Sequence, residues 1–375
     1  MQIKVLHIAS GLNGGIASFI KNKAKALVNT NVVFDILAFN EAPKDFAKLI
    51  AAMGGKIYYM PNPKEKGFIK FYKRVNQVMS KENKYDLIHC HLRDYRALPF
   101  YLIAKKNKQE RFAIHAHSAI KVPENKKTFL NIMRKLNTSM ADDMLSCSTK
   151  ASYTCFSDEA VQAKKIMHIP NSIDPEKYLK AVDKESLKLQ ILGEENLNKK
   201  IIGHVGRVQY PKNHEFMLDV VAELSKKYRN FLWLFIGDGR DLDSLKAEVN
   251  ERKLNDYVCF MGRRNDVHNL YKIMDFFVLP SLFEGLPTVA IEAQAAGTNC
   301  LLADTITKEC DLNLNLVKYL PLDVKTWAEN ILNTETIKVD KEQRLARLVE
   351  KKFTNQESAK LYLDFLNKQI KYYSI

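Results

Sequence analysis

Glycine and proline are scarce in this 375-residue chain, at 14 and 11 residues, which excludes a collagen-like or linker-like polypeptide. No run reaches the roughly 18 uncharged apolar residues that a membrane-spanning helix needs. The six cysteines, at 90, 147, 155, 259, 300 and 310, never fall in C-x-x-C spacing. A structural zinc site is therefore disfavoured, and reduced, partly buried thiols of a cytosolic protein are expected. The opening Met-Gln-Ile-Lys-Val-Leu-His-Ile has no cleavage-type segment after it and reads as a first strand, not a signal peptide. G-x-G-x-x-G is missing, which counts against a nicotinamide dinucleotide. So are helix-turn-helix, zinc-finger and RNA-binding motifs, which counts against nucleic acid as a partner. What remains is 46% hydrophobic and 10% aromatic, a folded composition long enough for two domains of roughly 150–200 residues.

The formal charge of +15 is unevenly placed. Residues 1–180 hold 30 Lys+Arg against 15 Asp+Glu, and the remainder holds 28 of each. Such a field attracts polyanions. Residues 64–84 mix Phe68, Ile69, Phe71, Tyr72, Val75 and Val78 with six lysines and Arg74, and residues 121–136 repeat the theme. Basic amphipathic helices of this kind lie in lipid interfaces, and they also occur as surface helices with one face on a core. An anionic membrane surface is the expected partner, with the protein peripheral on the inner, cytoplasmic face of the membrane.

Apolar β-rich runs alternate with helical patterns. Strands are predicted at 4–10, 32–39, 56–60, 87–91, 112–117 and 165–171, with helices near 16–28, 43–53, 66–82, 95–106 and 127–139. The pattern restarts after residue 174. Strands are expected at 200–206, 230–237, 258–262, 276–280 and 298–304, with helices near 213–228, 240–252, 266–273 and 286–296. This alternation implies parallel, doubly wound sheets. The division is set at 1–178 and 179–375, within a boundary region of about 175–198, and the helical segment 340–375 is left unassigned. Two such domains suggest a ligand cleft between them, because these sheets bind ligands at the carboxyl ends of their strands.

Three strand-to-helix turns carry the chemistry. Gly11-Leu-Asn-Gly14-Gly15-Ile-Ala17 would let a phosphate or sugar come close to the backbone at a helix N-terminus; a plain tight turn fits the same residues. Gly203-His-Val-Gly206-Arg207 through Lys212 places two cations where a diphosphate could bind. In Leu279-Pro-Ser281-Leu-Phe-Glu284-Gly285-Leu286-Pro287-Thr-Val-Ala-Ile-Glu292, Glu284 sits at a turn. Glu292 falls two helical turns further on, on about the same face. Gly285 and Leu286 offer backbone N–H groups between these acids.

Together these turns resemble the retaining glycosyltransferases of family 4, which have the GT-B fold: α/β, two Rossmann-like doubly wound domains facing a central cleft. The resemblance covers nearly the whole chain. Its most specific piece is the E-x7-E element Glu284–Glu292, supported by residues 258–281, by HCH (89–91), HAH (115–117) and NSID (171–174). The combination most resembles transferases of bacterial capsule and exopolysaccharide synthesis. It implies that Arg207 and Lys212 hold the donor diphosphate and that Glu292 binds the ribose hydroxyls. Glu284, with the backbone of Gly285 and Leu286, would meet the donor sugar. Gly262, Arg263 and Arg264 would line the base pocket, and Gly14 and Gly15 would approach the diphosphate. His115 matches the histidine that meets the sugar near the reacting carbon.

A metal reading of His89, His91, His115 and His117 is set aside, since the family needs no metal; no cofactor is expected. Asp241-Leu-Asp243 is read as helix capping. Two departures stand out: Thr298-Asn299-Cys300 brings polar residues into a strand, and CDLNLNLVKYLPL replaces a glycine-rich stretch. The implied function is transfer of a hexose or N-acetylhexosamine from a nucleotide diphosphate sugar, UDP-linked, to a lipid-linked glycan or polysaccharide precursor. The alternatives are a nucleotide-sugar epimerase on the same fold and a catalytically silent partner subunit.

Overall fold

Strands form where short apolar, often β-branched runs occur, because a parallel sheet covered on both faces leaves neither side for polar residues. In the computed structural model, which describes residues 2–12, 14–120 and 123–368, these runs build two sheets. Asn13 of the first glycine turn, Lys121 and Val122 of the second basic segment, and 369–375 of the last helical segment lie outside the described residues. The first sheet contains β1 (Ile3–Ala9), β2 (Val32–Ala38), β3 (Ile57–Tyr59), β4 (Leu87–Cys90), β5 (Phe112–Ala116), β6 (Asp143–Ser146) and β7 (Ile166–His168). Its order is β3-β2-β1-β4-β5-β6-β7, with every pairing parallel. The second contains β8 (Lys200–Val205), β9 (Phe231–Ile236), β10 (Val258–Gly262), β11 (Phe276–Leu279), β12 (Asn299–Ala303) and β13 (Val317–Leu320). Its order is β10-β9-β8-β11-β12-β13, again all parallel.

Strand order reverses between β1 and β4 in one sheet and between β8 and β11 in the other. Ligands bind doubly wound sheets at such switch points. Right-handed crossovers also sort the helices of the first sheet. Gly15–Leu27 and Lys44–Ala52 fall on one face; Phe68–Val78, Leu98–Lys106 and Lys127–Met140 fall on the other. On the first face, Val5, Ala9, Phe34 and Ile36 pack with Phe19, Ile20 and Ala24 and with Ala359, Tyr362 and Phe365 of the helix Asn355–Leu366.

That last helix settles the unassigned segment. The chain divides into Met1–Ile173 with Lys352–Ile375, and Asp174–Lys351. The helix Lys341–Glu350 stays with the second unit, while Asn355–Leu366 closes the first. Around the return, Ile173 N–H donates to Phe353 O (2.8 Å) and Asn355 N–H to Ile173 O (3.0 Å). The break at 173/174 therefore differs from the 178/179 division, because the short helix Pro175–Leu179 belongs to the second unit. β6 and β13 are strands that the apolar pattern did not predict. Each is only four residues long, DMLS and VKYL, too short and too polar to stand out. The stretch 180–199 holds a further helix, Lys184–Leu192.

The polar residues entering β12 are satisfied. Thr298 Oγ1 donates to Tyr271 O (2.7 Å) and Asn299 exchanges bonds with Ile337, as donor to its O (3.2 Å) and acceptor from its N–H (3.0 Å). Burying them costs little once partnered. Among the described residues, no helix is long and apolar enough to cross a membrane.

Candidate active site

At the switch point of the second sheet, the loops after β8 and β11 are stitched together. Leu282 N–H donates to Pro211 O (2.9 Å) and Asn213 Nδ2 to Pro280 O (3.2 Å). Asn213 takes a left-handed φ of 60° just ahead of the helix His214–Lys227, a conformation asparagine tolerates better than most residues. The stitching brings Lys212 Nζ to 2.5 Å from Glu284 Oε1. Both side chains are mostly enclosed, at 14% and 17% exposed. Lys212 reaches across Gly206, where an added Cβ would lie 3.2 Å from its Cε and 2.9 Å from His204 Nε2. Gly237 holds φ 144°, and a Cβ there would strike Gly206 O at 1.9 Å. Arg207 projects from the same loop, exposed. The arrangement is one enclosed cation held by a carboxylate and one free at the rim, suited to a ligand with two phosphates.

The E-x7-E element is not one helical face. The helix begins only at Thr288, so Glu284 lies in the loop and Glu292 within the helix. The two carboxylates go to different partners. Glu292 Oε2 accepts from Tyr271 OH (3.1 Å), and Tyr178 OH also bonds it. Burial pushes its carboxyl up to about 7. Gly285 and Leu286 are buried between the two acids.

Gly262 closes β10 with φ 61° and open space where a Cβ would be. Arg263 beside it is exposed. Arg264 is committed elsewhere: its guanidinium bonds both carboxylate oxygens of Asp266 (2.8 and 2.7 Å). Asp241 stands at the N-cap of the helix Leu242–Glu251 without a side-chain capping bond, and Asp243 lies in its first turn. Beneath the Lys212 loop, His204 Nδ1 donates to Val278 O (3.0 Å). Burial, with His214 and Lys212 nearby, keeps this ring far below the ordinary histidine range.

In the first unit, Gly14 has φ 89° and a Cβ on Gly15 would meet nothing within 4 Å. Both are exposed where the helix Gly15–Leu27 begins. Pairing of His7 with His89 in adjacent strands, and the H-x-H alternation of β4 and β5, set five imidazoles on one face of the sheet. They form two chains. Tyr362 OH meets His89 Nδ1 (2.7 Å), whose Nε2 meets His115 Nδ1 (3.1 Å). His7 Nδ1 meets His91 Nε2 (3.0 Å), and His91 Nδ1 meets His117 Nε2 (2.7 Å). His115 is 1% exposed; His117, just past β5, is the partly exposed member. Burial drives all five down, His7 and His117 to about 3. Lys23, also buried, donates to Ser358 Oγ (2.6 Å) and is lowered to about 7.

Two triplets, His7–His89–His91 and His91–His115–His117, bring ring nitrogens within 4.8 Å of one another, the donor set a transition metal takes. Hydrogen bonds between the rings occupy part of this donor set, while His7 Nε2, His115 Nε2 and His117 Nδ1 are buried without a hydrogen-bond partner among the described residues.

Residues 13–177 match the family described as Glycosyltransferase Family 4, and residues 188–359 that of Glycosyl transferases group 1. The Bacillus subtilis protein EpsF, named as a glycosyltransferase, is 30% identical over 339 residues, covering 88% of this chain and 87% of its own. The chain belongs to the family 4 glycosyltransferases. An Escherichia coli relative, named as UDP-Gal:alpha-D-GlcNAc-diphosphoundecaprenol alpha-1,3-galactosyltransferase, is 28% identical over 255 residues, covering 65% of this chain and 63% of its own. Among solved structures, Anabaena HepE in complex with UDP-glucose superposes with a TM-score of 0.78 at 17% identity, over 98% of this chain and 100% of that one. The two sheets are those of the GT-B fold. Four residues of this glycosyltransferase escaped the sequence reading: His7, His204, Tyr178 and Tyr271. The first two stand in runs dominated by strand signals. The tyrosines lie on helices far in sequence from Glu292.

Proposed function

We propose that this glycosyltransferase moves a hexose or N-acetylhexosamine from a UDP-linked donor to a lipid-linked glycan precursor, with retention of anomeric configuration. The observation that carries it is the Lys212–Glu284 pair at the second switch point: an enclosed lysine whose carboxylate partner a diphosphate can replace. The names of relatives and neighbours, with UDP-Gal, UDP-glucose and a diphosphoundecaprenol-linked acceptor among them, support the choice of donor and acceptor.

In this reading Arg207 and Lys212 neutralise the departing nucleoside diphosphate, a preorganised electrostatic contribution that requires no divalent ion. Glu292 takes the ribose hydroxyls, and Glu284, Gly285 and Leu286 the sugar. Gly262 and Arg263 meet the base; Arg264 acts there only by leaving Asp266. Gly14 and Gly15 admit a phosphate oxygen. The role expected of His115 is given to His117, because His115 is almost wholly buried while His117 is the partly exposed ring. The bond from the anomeric carbon to the phosphate oxygen breaks as the acceptor oxygen bonds the same face. The acceptor proton goes to the departing phosphate. The protein works in the cytoplasm, at the inner face of the membrane.

The test is a panel of nucleotide sugars with purified protein and a chelator present, read by thermal shift and by slow release of nucleoside diphosphate. One UDP-sugar should stabilise the fold and be hydrolysed. Silence toward every donor would favour the partner-subunit reading, and conversion of the donor to an isomer would favour the epimerase.

A further inference from the structure

We propose that His7, His89 and His91 of the first unit bind one late first-row transition-metal ion, zinc or a chemical neighbour of zinc, against the face of the sheet. The backbone fixes the positions of all three. His7 of β1 pairs with His89 of β4, and the N–H of His91, one residue past β4, donates to Ile8 O (2.9 Å). One ring nitrogen from each histidine lies within 4.8 Å of the other two. His7 Nδ1 and His91 Nε2 are 3.0 Å apart. That is close to the roughly 3.3 Å between two nitrogens on a tetrahedral ion with bonds of about 2.0–2.1 Å. Two facing imidazole nitrogens at this separation can share a proton or share an ion. His7 is the least committed ring, since its Nε2 is buried without a hydrogen-bond partner among the described residues.

The surroundings are those that hold a ligating imidazole in place. Tyr362 OH lies 2.7 Å from His89 Nδ1, and His117 Nε2 lies 2.7 Å from His91 Nδ1. A partner on one ring nitrogen fixes the tautomer and turns the other nitrogen to the metal, so His89 and His91 both present Nε2. The three histidines are at most 6% exposed. Phe34 stands edge-on to His7, with centroids 4.5 Å apart, and Phe19 edge-on to His89 and His91, at 6.0 and 5.7 Å. An apolar shell of this kind limits access of water to an ion. The triplet His91, His115 and His117 is the poorer seat for a cation, because the ammonium of Lys23 acts on His115 and His117. Neutral imidazoles select zinc, nickel or copper over magnesium and calcium, which take oxygen donors.

The role is structural and goes beyond the transfer reaction. The ion joins β1 to β4 and, through the Tyr362 hydroxyl, ties both to the returning helix Asn355–Leu366. It takes no part in holding the donor diphosphate. The expectation that these histidine pairs carry no metal came from the chemistry of the transfer step, which this site does not touch.

The full chain, treated with a chelator and then freed of it, is titrated with zinc chloride and separately with cobalt(II) chloride. Mass spectrometry of the native protein should find one zinc per chain. The melting temperature should rise by about 5 °C or more when zinc stands roughly 100-fold above its dissociation constant. Bound cobalt should show the visible absorption of nitrogen ligation. His7→Phe and His89→Phe, each verified as folded by circular dichroism, should lose the uptake. His115→Phe, which alters only the other triplet, should keep it. Tyr362→Phe removes one hydroxyl from His89 and should weaken zinc binding by roughly tenfold or more; it decides the matter where a histidine variant fails to fold. No uptake by the unchanged protein, full uptake by His7→Phe, or unaltered affinity in Tyr362→Phe would overturn the site. Loss of uptake in His115→Phe with retention in His7→Phe would place the ion in the other triplet and refute this assignment.

Discussion

In the first unit five imidazoles lie against one another, with Lys23 rather than a carboxylate as their charged neighbour. In the second unit the acids are each matched: Glu284 to an ammonium, Glu292 to two tyrosine hydroxyls. Both arrangements solve the cost of burying titratable groups, but by different means. The histidines give up their charge, and chains of hydrogen bonds satisfy most of their nitrogens. The Lys212–Glu284 ion pair sits in loops at strand ends, where an incoming anion can exchange for the carboxylate. A neutral cluster braces a sheet; a charged pair at a loop junction is available for binding.

The strongest way to break this comparison is at the pair. Lys212→Ala should lower turnover by roughly a hundredfold, the scale of losing one preorganised charge contact, while Arg207→Ala should cost at least about tenfold. Release of nucleoside diphosphate measures both. Near-normal turnover in either variant would deny that residue its diphosphate role.

Acid should separate the units next. His7 and His117 are held to about 3 when folded against 6.5 ordinarily. The unfolded chain therefore takes protons that the folded one refuses. Their stabilisation is complete above about 6.5 and is lost as pH falls toward 3. Glu292 runs the other way. Raised from 4.5 to about 7, it stabilises fully below about 4.5, and that contribution is lost as pH rises through 7. The melting temperature should thus drop between pH of about 7 and 5, and Glu292→Gln should make the drop steeper. A shallower drop in that variant would contradict the assignment of opposite signs.

The smallest expected effect sharpens the loop geometry. Gly206→Ala forces a methyl against His204 and the stem of Lys212. It should raise the donor KM by a few fold, on the order of 1 kcal/mol, with little change in melting temperature. An unchanged KM would mean that Lys212 can reach the donor by another path.

The parallel sheets were legible because runs such as FLWLFI and VVFDILA have no other stable use than a covered strand. VKYL escaped because an edge strand tolerates polar residues and short length, and DMLS because its four residues, though paired on both sides, begin and end with polar ones. At the site, Lys212 and Arg207 were readable from a strand–glycine–cation sequence. The place of Glu284 at a turn was readable too, but that it shares no helical face with Glu292 was not, since the helix starts only at Thr288 after Pro287. Periodicity also cannot show that Arg264 closes on Asp266, or that His115 is buried while His117 is partly exposed. Those outcomes depend on rotamers and on elements distant in sequence, Tyr362 lying 273 residues from the His89 it bonds.

The return of the helix Asn355–Leu366 to the first sheet also sets an order of events during synthesis. The second unit is one continuous stretch, Asp174–Lys351, and can complete itself as soon as it emerges, as domains generally do. The first unit cannot. Until residues near 366 leave the ribosome, Phe19 and Phe34 lack the wall formed by Tyr362 and Phe365, Lys23 lacks Ser358 and His89 lacks its phenol. The domain made first is therefore finished last, and a nascent chain stalled just short of this helix would expose an open apolar face to chaperones.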